Sequence, residues 1–261
     1  MAETSSRSFD RAAPYYDATR GLGAAATASV TELLVSELDG RGACLEVGVG
    51  TGRVALPLHE AGVPMTGVDL SRPMMTVLIE KAGGIAFPLV QGDATALPFP
   101  AAWFAAGVVS HVFHLIPAWR TALVELARVV RPGGLVLSDL GSHDRSTLRR
   151  AVRDRFRHEL GSDAGEHPGA RHDGEELAAA LRGLGARQRS LPLVRATRTT
   201  TLDSMINSLE AGHWSWTWDV PAVVLRAAAE RTRAWAATEH GALDSSVVAE
   251  VEVRWLAFDL P

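Results

Sequence analysis

The stretch Leu45-Glu46-Val47-Gly48-Val49-Gly50-Thr51-Gly52-Arg53 decides the reading of this chain. It ends a short apolar run, Ala43–Val47, that reads as a buried strand, and it opens a helical pattern over Arg53–Ala61 closed by Gly62. Glycines at such a turn let the backbone pass close to a ligand and swing sharply into a helix. A nucleotide-like ligand is implied. The pattern is not the dinucleotide fingerprint G-x-G-x-x-G, because Gly52 comes one position early and Arg53 stands where the third glycine belongs. No G-K-[ST] is present, which excludes a phosphate-binding P-loop.

Working outward, Met65–Leu70 reads as a second strand that delivers Asp69 at its end. A carboxylate there can accept two hydrogen bonds from a ribose diol, a feature shared by NAD and other adenosine cofactors. The third element separates them. Gly92-Asp93-Ala94 follows a strand at Ile85–Val90. The Asp93 carboxylate would accept from the exocyclic amine of adenine, and the Ala94 amide would donate to a ring nitrogen. Ser71 is placed to cap a helix running to Lys81. Ala105–Ser110 is a fourth strand, Pro117 opens a helix that Arg131-Pro132-Gly133-Gly134 ends, and Leu135–Asp139 is a fifth strand. Strands alternating with helices imply βαβ units and a parallel sheet.

Beyond Asp139 the texture changes. Residues 141–174 are polar, a helix is expected at Glu175–Leu184, and strands at Ala186–Thr200 and Ser246–Asp259. Between those two strands lies a mostly helical insertion carrying Trp214, Trp216 and Trp218. Insertions of that length between paired strands are usually lids or binding elements.

Composition narrows the function classes. The 261 residues are 47% hydrophobic and 21% charged, so disordered and coiled-coil classes fit poorly. A formal charge of −4 implies no general polyanion-binding surface, and no nucleic-acid partner is expected. Cys44 is the only cysteine, so an internal disulfide and a cysteine-cluster metal site are impossible. No H-E-x-x-H or carboxylate run marks a metal site, and no metal is expected. Met1–Asp10 lacks an apolar core, so no secretory signal is expected and the predicted location is cytoplasmic. From Asp93 to Arg120 no acidic or basic side chain intervenes, a span long enough for a bilayer. Pro98, Pro100 and Pro117 interrupt it, and a buried strand with flanking loops is the better reading. Lys81 is the only lysine among many arginines and alanines, a composition that suggests a high-GC, bacterial source.

Four ordered segments resemble one family. They are Leu45–Gly52; Gly67-Val68-Asp69-Leu70-Ser71 with Met74; Gly92-Asp93-Ala94 through Leu97-Pro98-Phe99; and Arg128-Val129-Val130-Arg131-Pro132-Gly133-Gly134. With Phe9-Asp10, Tyr16-Asp17 and Arg20, they resemble class I S-adenosylmethionine-dependent methyltransferases of the ubiquinone/menaquinone methyltransferase-like branch. The resemblance covers Phe9 to Asp139, about half of the chain. One departure is Ala105 after Phe104, where the branch usually has aspartate.

The resemblance implies roles residue by residue. Glu46 and the loop Gly48, Gly50, Gly52 would hold the methionine part of the cofactor. Asp69 would bind the ribose, Leu70 and Met74 would pack on the adenine, and Gly92, Asp93 and Ala94 would read its edge. Ser110 and His111 would face the sulfonium, and Tyr16 and Arg20 would close over the cofactor. S-adenosylmethionine is the implied cofactor and S-adenosylhomocysteine the product. The implied reaction is in-line, metal-independent methyl transfer to a small-molecule acceptor. A sulfonium methyl is already electrophilic, so the protein aligns the nucleophile and excludes water. A base is needed only for a protonated acceptor. His111, His114 and His213 are the candidates, each weighed against a purely structural role. In an extended segment Trp214, Trp216 and Trp218 would share a face and wall a flat acceptor; the rival reading is packing of the lid. Non-methylating chemistry such as a cyclisation, and a non-catalytic cofactor-binding role, stand as alternatives.

The expected fold class is α/β: a Rossmann-like three-layer sandwich with a mostly parallel seven-stranded sheet, its last strand antiparallel. A helical cap is inserted between the last two strands. The expected organisation is one domain: residues 1–40 cover the cofactor, 41–139 form the cofactor-binding core, 140–200 the rest of the core, 201–244 the cap and 245–261 the last strand.

Overall fold

The structure is a computed structural model that describes residues 8–144, 146–161 and 174–261. Five strands run parallel: β1 (Cys44–Val47), β2 (Met65–Asp69), β3 (Leu89–Gln91), β4 (Phe104–Val109) and β5 (Val130–Asp144). β1 and β4 are buried along their whole length, which is why they read as uninterrupted apolar runs. β3 is shorter than the Ile85–Val90 expected. Pro88 has no N–H to donate, and pairing starts at Leu89.

The sheet order is β3-β2-β1-β4-β5-β8-β6, with β7 also on β8. β8 (Ser246–Asp259) runs antiparallel to β5, as expected of the last strand. The stretch expected as one strand over Ala186–Thr200 is two: β6 (Arg187–Ser190) pairs Leu256–Asp259, and β7 (Val194–Thr201) pairs Ser246–Val253. Pro192 sits in the break and cannot join a ladder. Eight strand segments therefore fill seven positions across the sheet.

Helices cover both faces. α2 (Ala24–Leu38), α3 (Ala55–Glu60) and α4 (Arg72–Lys81) pack on one; α5 (Trp119–Val129) and α7 (Glu175–Gly183) pack on the other. Ser71 caps α4 by accepting the Met74 N–H at 3.3 Å. α3 begins two residues later than expected, because Gly52 is left-handed (φ +75°) and the chain must recover before it can wind.

A third core lies outside the sheet. α6 (Thr147–Leu160), α8 (Leu202–Glu210) and α9 (Ala222–His240) bury Phe156, Ile206, Trp216 and Ala228 among themselves. α8 and α9 are the connection between β7 and β8, so a helical insertion separates the two paired strands. The uncharged run from Asp93 to Arg120 contains β4, and among the described residues no helix is long and apolar enough to cross a membrane.

Candidate functional site

The chain order reverses at β1, whose neighbours are β2 on one side and β4 on the other. Open α/β sheets bind ligands at the carboxyl ends of strands at such a point. Here the loop after β1 supplies the floor. Gly48, Gly50 and Gly52 all have positive φ (+73°, +52° and +75°). At Gly48 a Cβ would lie 2.2 Å from Val112 Cγ2, so only glycine lets the loop meet that wall. The Gly50 N–H donates to Asp69 Oδ2 and the Ser71 N–H to Asp69 Oδ1, both at 2.7 Å. Each oxygen keeps a second lone pair for a ligand hydroxyl. Burial pushes the Asp69 carboxyl above its ordinary pKa, and the backbone donors pull it back.

These elements line one cleft that opens to solvent. It gathers Tyr16, Gly48, Gly50, Asp69, Leu70, Met74, Gly92, Asp93, Ala94, Ser110 and His111 from the expected set. Phe9, Val112, Leu115 and Ile116 also line it and were not anticipated. Asp93 Oδ1 accepts both the N–H and the hydroxyl of Thr95 at 2.8 Å, which fixes the turn that presents Ala94.

Polar groups converge at the end of β4. Arg53 Nη2 donates to Ser110 Oγ at 2.8 Å, and Ser110 donates to Asp139 Oδ2 at 2.8 Å. The same carboxylate oxygen lies 3.3 Å from His111 Nε2 and 3.9 Å from Arg53. Asp139 is 3% exposed, so these charges act in a poorly solvated site. His111 holds φ +56°, a left-handed conformation uncommon outside glycine and one that functional sites accumulate. Arg53 and Asp139 escaped the sequence reading because their relation is tertiary, although the displaced third glycine had drawn attention to position 53.

Glu46 lies beneath the loop, buried, with Oε2 lacking any partner. Burial pushes its carboxyl up to about 8, against the pull of Arg53 and a backbone hydrogen bond from Ala55. An orphaned acid oxygen beside a glycine loop suits a donor such as an amino-acid ammonium.

Residues 45–138 match the family model described as "Methyltransferase domain". A demethylmenaquinone methyltransferase of Thermus thermophilus is 37% identical over 94 residues, 34% of this chain and 43% of that protein. Another, of Renibacterium salmoninarum, is 35% identical over 141 residues, 52% of this chain and 57% of that protein. The chain thus spans about half the length of the curated relatives it matches. The crystal structure of the YcgJ protein from Bacillus subtilis shares the fold, with a TM-score of 0.59 at 17% identity, covering 89% of this chain and 98% of that one.

Residues 45–138 thus carry a methyltransferase domain. Other matched relatives, from Paenarthrobacter aurescens and Streptomyces avermitilis, are also demethylmenaquinone methyltransferases.

Around this cleft the remaining expected residues take other places. Gly52 lies behind the wall, where an added Cβ would sit 2.7 Å from Leu78. Arg20 lies over the Trp214 ring at 4.0 Å and reaches the His213 carbonyl at 3.5 Å; burial lowers its pKa. His213 stacks on Tyr15 (4.3 Å), outside the cleft lining, and desolvation together with Arg20 lowers its pKa. His114 stands edge-on to His111 at 6.4 Å and does not line the cleft.

The tryptophans do not form one wall. Residues Ser215–Thr217 coil into a 3-10 turn rather than an extended segment, so the alternation no longer puts them on one face. Trp216 is 4% exposed inside the cap core, beneath Arg157 and against Phe156. Trp218 packs on Phe9 at 4.7 Å, and its carbonyl accepts from Arg11 at 3.0 Å.

The N-terminal segment is thereby held between cap and cleft. α1 (Tyr16–Arg20) puts Tyr16 into the cleft wall, where burial raises the phenol pKa. Asp17 accepts from Thr51 Oγ1 of the glycine loop at 2.6 Å and from Lys81 at 2.8 Å, and Lys81 also donates to the Thr51 carbonyl. The only lysine of the chain latches this segment to the loop.

Proposed function

We propose that this protein transfers a methyl group from S-adenosylmethionine to a small-molecule acceptor. One observation carries the reading: a single cleft at the β1/β4 switch collects glycine loop, ribose-type carboxylate, adenine-edge turn and the polar end of β4. When bound, the cofactor supplies an electrophilic methyl on a sulfonium. Asp69 binds the ribose hydroxyls with its remaining lone pairs, Leu70 and Met74 sandwich the adenine, and Asp93 and Ala94 read its edge. Glu46 and the loop hold the amino-acid end. Phe9 and Tyr16 cover the ligand and exclude water.

His111 is the proton-handling residue of this reading. Asp139 lies 3.3 Å from Nε2 and orients the ring, so a proton released by a hydroxyl or amine acceptor has a place to go. His114 and His213 stand outside the cleft lining and take supporting roles. The cap over residues 201–244 presses the N-terminal segment onto the cleft through Trp214 and Trp218 and acts as a cover.

A small molecule is favoured as acceptor because relatives are named for demethylmenaquinone and phosphatidylethanolamine, and because the net charge is negative. The test is calorimetric titration with S-adenosylhomocysteine, followed by incubation with methyl-labelled S-adenosylmethionine and a fractionated cell extract. Binding, with label in the small-molecule fraction, is expected. No binding, or label only in nucleic acid or protein, would refute the reading.

A further inference from the structure

Behind the polar end of β4, on the side away from the cofactor cleft, Arg53 and Asp139 border a small space. It shares no lining residue with the cleft. Ser110 and His111 line the cleft, and their partners Arg53 and Asp139 wall it off from the space behind. The other walls are mostly aliphatic, with Val30 and Leu34 from α2 and Val253 from β8. They leave room for about one water molecule.

Trp255 of β8 also lines this space and is 2% exposed, and its indole N–H meets no acceptor among the described residues. Asp139 and Trp255 are direct cross-strand partners, so their side chains stand on one face of the sheet. The contacts that Asp139 makes with Ser110, His111 and Arg53 all fall on Oδ2. A carboxylate offers about four lone-pair sites, so further donors can be accepted. Native proteins seldom leave a buried donor unpaired, and an ordered water is a common partner for such a group. The walls select the same occupant. An anion would face Asp139, and a cation would face Arg53. A neutral molecule that accepts one hydrogen bond and donates another, no larger than water, suits both the indole and the carboxylate.

We propose that one buried water bridges the Trp255 indole to the Asp139 carboxylate, and that Trp255 is thereby a positioning residue for His111. The water accepts from Nε1 and donates to the carboxylate. It steadies the carboxylate from behind, while Ser110 holds Oδ2 from the cleft side. His111 leans on that oxygen: Nε2 lies 3.3 Å away, and a left-handed backbone (φ +56°) restricts where the ring can go. A carboxylate that accepts from Nε2–H keeps the proton there and leaves Nδ1 as the accepting nitrogen. Holding Asp139 still therefore holds one tautomer ready for the acceptor's proton. The role of His111 rests on the methyl-transfer reading, whereas the water does not.

The experiment uses the full chain, isotopically labelled for indole and imidazole nitrogen spectra, with S-adenosylhomocysteine added. The Trp255 indole N–H, identified by its loss in Trp255→Phe, is expected to show a cross-peak to a long-lived water. The His111 ring, identified by its loss in His111→Gln, is expected as a single tautomer protonated on Nε2 when neutral. Trp255→Phe keeps an aromatic ring and removes the donor. Val30→Ile adds to the wall a methyl group about the size of the water and leaves the indole intact. In both variants His111 is expected to become a mixture of tautomers, while S-adenosylhomocysteine still binds and thermal unfolding stays cooperative. Val30→Ile is also expected to erase the cross-peak. No cross-peak in the wild type overturns the water. An unchanged His111 tautomer in Trp255→Phe overturns the positioning role, because lost packing alone lowers Tm without moving a ring proton. A cross-peak lost in Val30→Ile with His111 unchanged overturns the bridge, since the indole then acts without it. A cross-peak in a protein that does not bind S-adenosylhomocysteine overturns the methyl-transfer reading, and with it the positioning role.

Discussion

Asp69→Ala is the substitution that tests the site most directly. In the folded protein its two oxygens accept the N–H groups of Gly50 and Ser71 at 2.7 Å each. Alanine leaves both amides without that partner. An unsatisfied buried donor costs about 1–3 kcal/mol, and these lie at a cleft that water enters, so a loss of about 2 kcal/mol in stability is expected. The cofactor loses more. Two charge-assisted hydrogen bonds to ribose hydroxyls contribute about 1.5–3 kcal/mol each, or about 3–6 kcal/mol together. That is a weakening of about 10²- to 10⁴-fold in Kd. Titration of S-adenosylhomocysteine into wild type, Asp69→Ala and Asp69→Asn at neutral pH measures it. Asparagine keeps one carbonyl oxygen and should fall between the other two. An unchanged Kd in Asp69→Ala, with a native circular dichroism spectrum, would refute the placement of the ribose on this carboxylate and the identification of the cleft with it.

Other perturbations probe the loop, the latch and the cap. Glu46 has its folded pKa raised to about 8 from 4.5, so its contribution to stability is complete below 4.5 and is lost as pH rises through about 8. Thermal unfolding across that window should show a decline in wild type that Glu46→Gln lacks. Gly48→Ala forces a side chain into a left-handed position and against Val112 at 2.2 Å. Strain of about 1–2 kcal/mol and overpacking of about 1–3 kcal/mol should appear together as a lowered Tm and weaker cofactor binding. Asp17→Ala frees the N-terminal segment from Thr51 and Lys81; an ion pair this exposed is worth about 1 kcal/mol or less, so S-adenosylhomocysteine should dissociate several-fold faster in stopped-flow displacement. Trp216→Ala removes a buried ring from the cap core, which should cost about 3–5 kcal/mol by calorimetric unfolding while cofactor affinity stays unchanged.

Much of the first half of the chain was legible before any coordinates. Its strands are short, buried on both faces and punctuated by glycine and proline, so their positions follow from local pattern. The glycine loop, Asp69 and Gly92-Asp93-Ala94 were legible because a ligand that lies across strand ends needs particular residues at particular ends. Arg53 and Asp139 were not, since the 86-residue gap between them is closed only when β4 and β5 pair. The tryptophan alternation misled because it presumed an extended backbone, whereas a 3-10 turn sends Trp216 into the cap. Pro192 was visible in the sequence, yet its effect depended on β8 running past it and pairing with both pieces.

Local pattern was enough to specify the class of fold and the strand ends that form the cleft, because hydrophobic period, turn residues and loop glycines are local properties. Only folding settled which polar groups meet at the end of β4, how Asp17 and Lys81 clamp the loop, and where Trp216 is buried. Those relations join residues distant in the chain, and they exist only once the sheet has ordered its strands and the helices have closed over it.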